Sequence, residues 1–180
     1  LVMGAISDDE LPQALDAEAE VVAWSERFVE NLRWAVENRA APIPPMRVHV
    51  KLDTGMGRLG TRDPLEARGV AERVSANEPA LAMAGAMTHF ATAGEDPTFV
   101  AEQLERFDPF VAELRRSRPE LVVHAANSAA TLTEPRSHFD MVRCGIAIYG
   151  CDPMNSDPAA QGLEPALELT SYVAAVKRAK

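Results

Sequence analysis

An α/β fold built from parallel βαβ units is what this sequence predicts, on three observations. Stretches of strand character alternate with stretches of helix character through almost the whole of its 180 residues. A helix-start signal recurs in one form, Asp63-Pro64 and Asp96-Pro97, with Asp as cap and Pro at the first helical position. The third observation is the run VHVKLDTGMGRLG, from Val48 to Gly60. Its apolar Val48, Val50 and Leu52 alternate with His49, Lys51 and Asp53, the period of a strand with two unlike faces. It then breaks into Thr54-Gly55-Met56-Gly57-Arg58, where glycines let backbone come close to a ligand. Such a strand suits a barrel, its aliphatic face toward surrounding helices and its polar face inward, where Lys and Asp need a partner or a task. A buried ion pair beside a flexible loop is the plainer reading. About six strands precede residue 150, against the eight strands and ~250 residues of a closed (β/α)₈ barrel. An open doubly wound sheet competes, although no G-x-G-x-x-G follows an early strand to support a dinucleotide site.

Taken in order, Leu1–Ala5 and Glu20–Trp24 read as the first two strands. Ser25 caps a helix to about Asn38, with Phe28, Val29, Leu32, Ala35 and Val36 on one apolar stripe. Pro42, Pro44 and Pro45 punctuate the chain before the Val48 strand. The helix from Asp63-Pro64 leads to a strand over Leu81–Phe90. The helix from Asp96-Pro97 carries Val100, Leu104, Phe107, Val111 and Leu114 at helical spacing, and Pro109 is expected to kink or divide it, with Asp108 capping the second piece. Leu121–Ala125 is the next strand, followed by a short helix after Ser128, a strand over Met141–Tyr149, a loop-like stretch, and a final extended run from Glu168 to Val176.

Composition narrows the function. A net charge of −9 disfavours a nucleic-acid or anionic-membrane surface. No apolar run approaches the roughly 20 residues of a membrane helix, and nothing at the start resembles a secretory signal. Cys144 and Cys151 are too few for a disulfide framework and lack neighbours suited to a metal site. A reduced, cytoplasmic setting fits. Both ends lie inside apolar, strand-like sequence, as expected of an internal fragment of a longer protein.

Polar residues gather at the carboxyl ends of separate strands, where such folds place their sites: Asp53 with Arg58, Thr88-His89, Asn127-Ser128, and Arg143-Cys144-Gly145-Ile146. Gly145 and Ile146 offer backbone N–H groups to a phosphate, the Ser128 hydroxyl adds a third donor, and Arg58 suits a carboxylate. Each has a structural reading beside it. His89 alone is more often a satisfied interior group than a catalyst, His49 and His124 lie deeper in their strands, and His138 reads as a surface loop residue. Asn127-Ser128 would equally cap the short helix that follows, and Cys144 would pack as a small hydrophobe.

In this order and spacing, HVKLDTGMGRLG, GAMTHFATA, HAANSAATL and MVRCGIAIYG closely resemble alanine racemase, a pyridoxal-phosphate enzyme family. The resemblance implies an α/β architecture: a partial (β/α)₈ TIM barrel over residues 1–163, holding about strands three to eight, and the start of a C-terminal β-rich domain over 164–180. Arg58 and Met56 match substrate-binding positions, Arg58 taking the carboxylate. Lys51 matches a lysine carbamylated in some members, which orients that arginine. His89 resembles the histidine supporting a catalytic tyrosine. Asn127, Ser128, Arg143, Gly145 and Ile146 resemble the cofactor-binding positions, with Arg143 facing the pyridine nitrogen of pyridoxal 5'-phosphate. A cation there keeps that nitrogen unprotonated and weakens the ring as an electron sink, favouring return of the proton over side reactions.

Racemisation needs one base on each face of the α-carbon. In the family these are the lysine that carries the cofactor as a Schiff base and a tyrosine from the partner subunit, and neither motif occurs in this chain. The implied function is interconversion of L- and D-alanine by a homodimeric, cytoplasmic parent that supplies D-alanine for peptidoglycan, with this piece inactive alone. No metal, nucleic acid or membrane enters that reading. A racemase for another amino acid on the same barrel, or a non-catalytic barrel that carries pyridoxal phosphate, is the alternative.

Overall fold

The computed structural model describes residues 1–178; Ala179 and Lys180 lie outside the described residues. Four parallel strands form one sheet: β1 (Val21–Ala23), β2 (Met46–Lys51), β3 (Leu81–Met87) and β4 (Val122–His124). Their order in space is their order in the chain. That is the winding of a barrel wall, in which each right-handed crossover adds the next strand on the same side. A doubly wound sheet would reverse direction at a switch point, and none occurs among the described residues. A single parallel bridge extends the wall at either edge, Val2 to Val21 and Asn127 to Arg143.

The five α-helices among the described residues are α1 (Leu11–Asp16), α2 (Glu26–Glu37), α3 (Pro64–Ala76), α4 (Pro97–Ser117) and α5 (Ser128–Thr133). Side-chain caps start four of them as the sequence predicts. Ser25 accepts from Phe28 N–H, Asp63 from Leu65 N–H, Asp96 from Phe99 N–H and Asn127 from Ala130 N–H. Val48, Val50 and Leu52 are buried with Phe28, Val29, Leu32, Val70, Val74, Leu104 and Phe107 in one core between strands and helices. The opposite face of β2 is buried as well, and it is polar: His49 is 1% exposed, Lys51 2% and Asp53 4%.

Several expectations are corrected. Leu1–Ala5 is no strand, since only Val2 reaches β1, through its N–H to Glu20 O. The short helix α1 was not legible in the sequence. Helix α4 runs unbroken through Pro109, and Asp108 caps nothing, because Val100, Leu104, Phe107, Phe110 and Val111 bury one continuous stripe. Met141–Tyr149 is no strand either. Arg143 N–H bonds Ala126 O at 2.9 Å, and the chain then turns at Gly145 into a 3₁₀ turn over Ile146–Tyr149. Ser128 Oγ draws in the N–H groups of Gly145 (2.8 Å) and Ala147 (3.3 Å), donors that a strand would give to a neighbour. The run Glu168–Val176 forms no strand and lies exposed, with Leu169 and Tyr172 at 96% and 99%. A strand needs a neighbour, and none pairs with it among the described residues.

Candidate active site

The loop after β2 is folded by Asp53. Its buried carboxylate accepts the N–H groups of Gly55 at 3.1 Å and Gly57 at 2.9 Å, and Gly57 takes a left-handed φ of 71° that suits glycine. Arg58 follows, exposed and outside any ion pair among the described residues. Behind the loop, fully buried Gln103 of α4 donates from Nε2 to Thr54 Oγ1 (2.9 Å) and to His89 O (3.1 Å), and its Oε1 accepts from Ala91 N–H (3.0 Å). One helical side chain thus ties the loop after β2 to the loop after β3. Gln103 was not foreseen, since an amide on an apolar helical stripe gives no sequence signal of its target.

Arg143 joins the ends of β3 and β4. Nη1 donates to His124 Nδ1 at 2.7 Å, and Nη2 faces Thr88 O (2.9 Å), Ala125 O (2.9 Å) and His89 Nδ1 (3.1 Å). Its Nε is buried and without a hydrogen-bond partner. Because His89 Nδ1 faces a guanidinium, it is the acceptor, and the ring proton sits on Nε2. His89 and Arg143 share a cleft of about 400 Å³ with Asn127, Ser128, Gly145 and Ile146. Six of the nine positions matched by the resemblance therefore meet on one rim. Thr92 is in the same wall, its Oγ1 also buried and unpartnered. Met56 is half-buried in the β2 loop and, like Arg58 and Lys51, is not part of that wall. His138 is not a free surface residue. It is half-buried, its Nε2 donating to Thr131 O at 2.9 Å. Cys144 is half-buried too, its thiol 3.5 Å from Thr131 Oγ1.

The electrostatics follow from burial of cations together. Lys51 is lowered to about 8, first by burial and then by Arg58, with Asp53 opposing and Arg143 adding to the fall. Burial, Arg143, Arg58 and Lys51 together bring His89 down to about 4, so its imidazole is neutral at pH 7. Arg143 itself is lowered by burial to about 10 and stays cationic.

The alanine racemase N-terminal domain model matches residues 1–153. The chain belongs to the alanine racemase family. It is 36% identical over 180 residues to alanine racemase of Listeria monocytogenes, covering 98% of this chain and 46% of that protein. It is 40% identical over 149 residues to alanine racemase of Chlorobaculum tepidum, covering 82% of this chain and 38% of that one. Among solved structures, alanine racemase of Streptomyces coelicolor superposes with a TM-score of 0.80 at 34% identity, covering 91% of this chain and 43% of that one. Alanine racemase of Bacillus anthracis, solved with bound L-Ala-P, gives 0.73 at 30% identity, covering 91% and 42%. The chain spans less than half the length of these alanine racemases. Its parallel sheet corresponds to the N-terminal barrel portion of their structures. No helix among the described residues is long and apolar enough to cross a membrane.

Proposed function

We propose that the intact protein interconverts L- and D-alanine with pyridoxal 5'-phosphate, as a cytoplasmic homodimer supplying D-alanine for peptidoglycan. The observation that carries this reading is the Arg143 guanidinium. Its Nη atoms are turned toward His124, His89 and two carbonyls, while Nε, buried and unpartnered, remains to donate. An orphaned buried donor is costly, and a ring nitrogen would satisfy it. The hydroxyl proton of Ser128, whose oxygen already accepts from Gly145 and Ala147, suits a phosphate oxygen on the same cleft. The residues present therefore fit the cofactor. The chemistry it supplies when bound is delocalisation of the electron pair left on the α-carbon as the substrate's proton departs.

This chain's own residues bind and orient. Arg143, cationic, holds a ring nitrogen unprotonated. Arg58, free of acidic partners, takes the substrate carboxylate, and Lys51 beside it becomes an anchoring anion if carbamylated. Neutral His89, with Nδ1 engaged by Arg143, keeps its ring proton on Nε2, the group that would support a catalytic tyrosine of the partner subunit. Asn127 caps α5 and so fixes Ser128 on the cleft. Residues 1–163 form the barrel portion and 164–180 begin the β-rich domain in this reading. The two bases of the two-faced proton transfer lie outside the motifs of this chain, so activity belongs to the intact protein. The test is an alanine racemisation assay on that protein, with the cofactor's absorbance read alongside. Arg58→Ala should lower kcat/KM about a hundredfold, the loss of a charge-assisted bidentate contact. Normal activity in that variant would remove Arg58 from its role, and absence of D-alanine from a cofactor-loaded parent would overturn the reading.

A further inference from the structure

The barrel interior holds two histidines that the proposed mechanism does not use, and they stand in a line. Glu20 lies at the foot of β1, where its carboxylate pairs with Arg47 and sits 2.7 Å from His49 Nε2. His49 Nδ1 is 2.8 Å from His124 Nε2, and His124 Nδ1 is 2.7 Å from Arg143 Nη1. We propose that Glu20 and His49 are positioning residues for Arg143, which set the direction of a three-link hydrogen-bond relay from the foot of the barrel to its catalytic rim.

The direction follows from proton counting. A carboxylate only accepts and a guanidinium only donates, while each neutral imidazole has one N–H and one lone pair. The link to Glu20 needs the proton on His49 Nε2. That leaves His49 Nδ1 as acceptor, so His124 must donate from Nε2. His124 Nδ1 is then the lone pair that receives Arg143. No other arrangement satisfies all three links. A second proton on either ring would set N–H against N–H, in keeping with the fall of His124 to about 2 caused first by burial and then by Arg143. Both rings are interior, His49 at 1% and His124 at 0% exposure, where an unmade bond is costly.

The sheet is shaped to allow it. His49 and His124 stand on β2 and β4, with β3 between them. The residue of β3 opposite His49 is Gly85, at a register shift in the β2–β3 pairing. A Cβ there would fall 2.1 Å from His49 Nδ1, the atom that meets His124. Glycine at this position has a steric reason, an opening through which two strands' imidazoles join. Its φ is not in the left-handed region, so backbone freedom is not the cause.

The consequence for the rim rests on the reading of Arg143 as the cofactor's partner. With His124 fixed as an acceptor, the Nη edge of Arg143 is held inward and its buried Nε is left without a protein partner. Nitrogen-15 NMR of the intact protein, labelled at histidine, separates the two ideas. At pH 7 His49 and His124 should both show single Nε2–H tautomers, with or without cofactor. Glu20→Gln keeps size at a half-exposed position and gives His49 a partner that can donate as well as accept, so the His49 signals should move toward a tautomer mixture. His49→Leu should do the same to His124, and kcat should fall about tenfold with KM for alanine within twofold, the scale of one lost hydrogen bond to a charged group. An Nδ1–H or doubly protonated His124 in the parent, or a His124 spectrum unmoved by His49→Leu, overturns the relay even in an active racemase. An inactive parent with the expected tautomers overturns the function and leaves the relay standing.

Discussion

Lys51 carries the most decisive prediction, because its charge has two possible fates in one buried position. Its pKa falls from 10.5 to about 8. Two and a half pKa units disfavour the buried ammonium by about 3 kcal/mol relative to the unfolded chain. Below pH 8 both states hold the proton and the whole penalty applies. Between pH 8 and 10.5 the unfolded chain binds more protons than the folded one, so stability rises with pH across that window. Lys51→Met removes the charge at similar volume. The variant should melt a few degrees above the parent at pH 7 in carbon-dioxide-free buffer, and it should lack the rise between pH 8 and 10.5.

The same shift prepares the amine for reaction. At pH 7 a group with a pKa of about 8 is roughly one-tenth free amine, against about three parts in ten thousand for an ordinary lysine. Its lone pair adds to the carbon of CO₂, one amine proton leaves to solvent, and a carbamate anion replaces a cation beside Arg58. Carbon-13 bicarbonate should therefore give the intact parent a carbamate resonance that Lys51→Met lacks, and should raise the melting temperature of the parent alone. Equal melting of parent and variant at every pH, or a carbon-13 spectrum unchanged by the substitution, would refute the argument.

Two further substitutions probe the rim. Gln103→Leu leaves Ala91 N–H, His89 O and Thr54 Oγ1 short of partners in a buried place, and should cost about 2–4 kcal/mol by chemical denaturation while lowering kcat more than KM rises. Ser128→Ala strips the acceptor from Gly145 and Ala147 N–H and the hydroxyl from the cleft; cofactor affinity, titrated by absorbance, should fall about tenfold with circular dichroism unchanged.

What the sequence disclosed divides along physical lines. Helix starts were legible because a cap is a local bond: Ser25, Asp63, Asp96 and Asn127 each reach a backbone N–H within three residues. The inward face of β2 was legible because alternation is local too. Strand existence at the two edges was not. Leu1–Ala5 and Met141–Tyr149 have strand composition, yet each gains only one bridge, and pairing is decided by what lies alongside. In the site, strand-end position alone drew His89, Ser128 and Arg143 toward one rim. The connections among them were hidden. Glu20 read only as the first residue of a strand, yet it meets His49 29 positions away, and Gln103 meets Thr54 49 positions away. Contacts at such separations leave no mark on the residues that make them.

The charge pattern supports the proposed anionic ligand pair. The chain as a whole carries −9, so a random cleft would be acidic. This rim is the reverse: Arg58 and Arg143 both depress Lys51, and all three depress His89. The acid that acts on Lys51, Asp53, already accepts Gly55 and Gly57 N–H, and Glu20 is reached by Arg143 through two imidazoles. Gathering Lys51, Arg143 and Arg58 with only Asp53 in opposition is a standing cost, and an incoming anion relieves it at more than one residue. A phosphate at Ser128 and a carboxylate at Arg58 are separate anions with separate donors, so each can bind without displacing the other. In the proposed reading cofactor and amino acid bring these two charges together, whereas a free phosphate alone would leave Arg58 unmet.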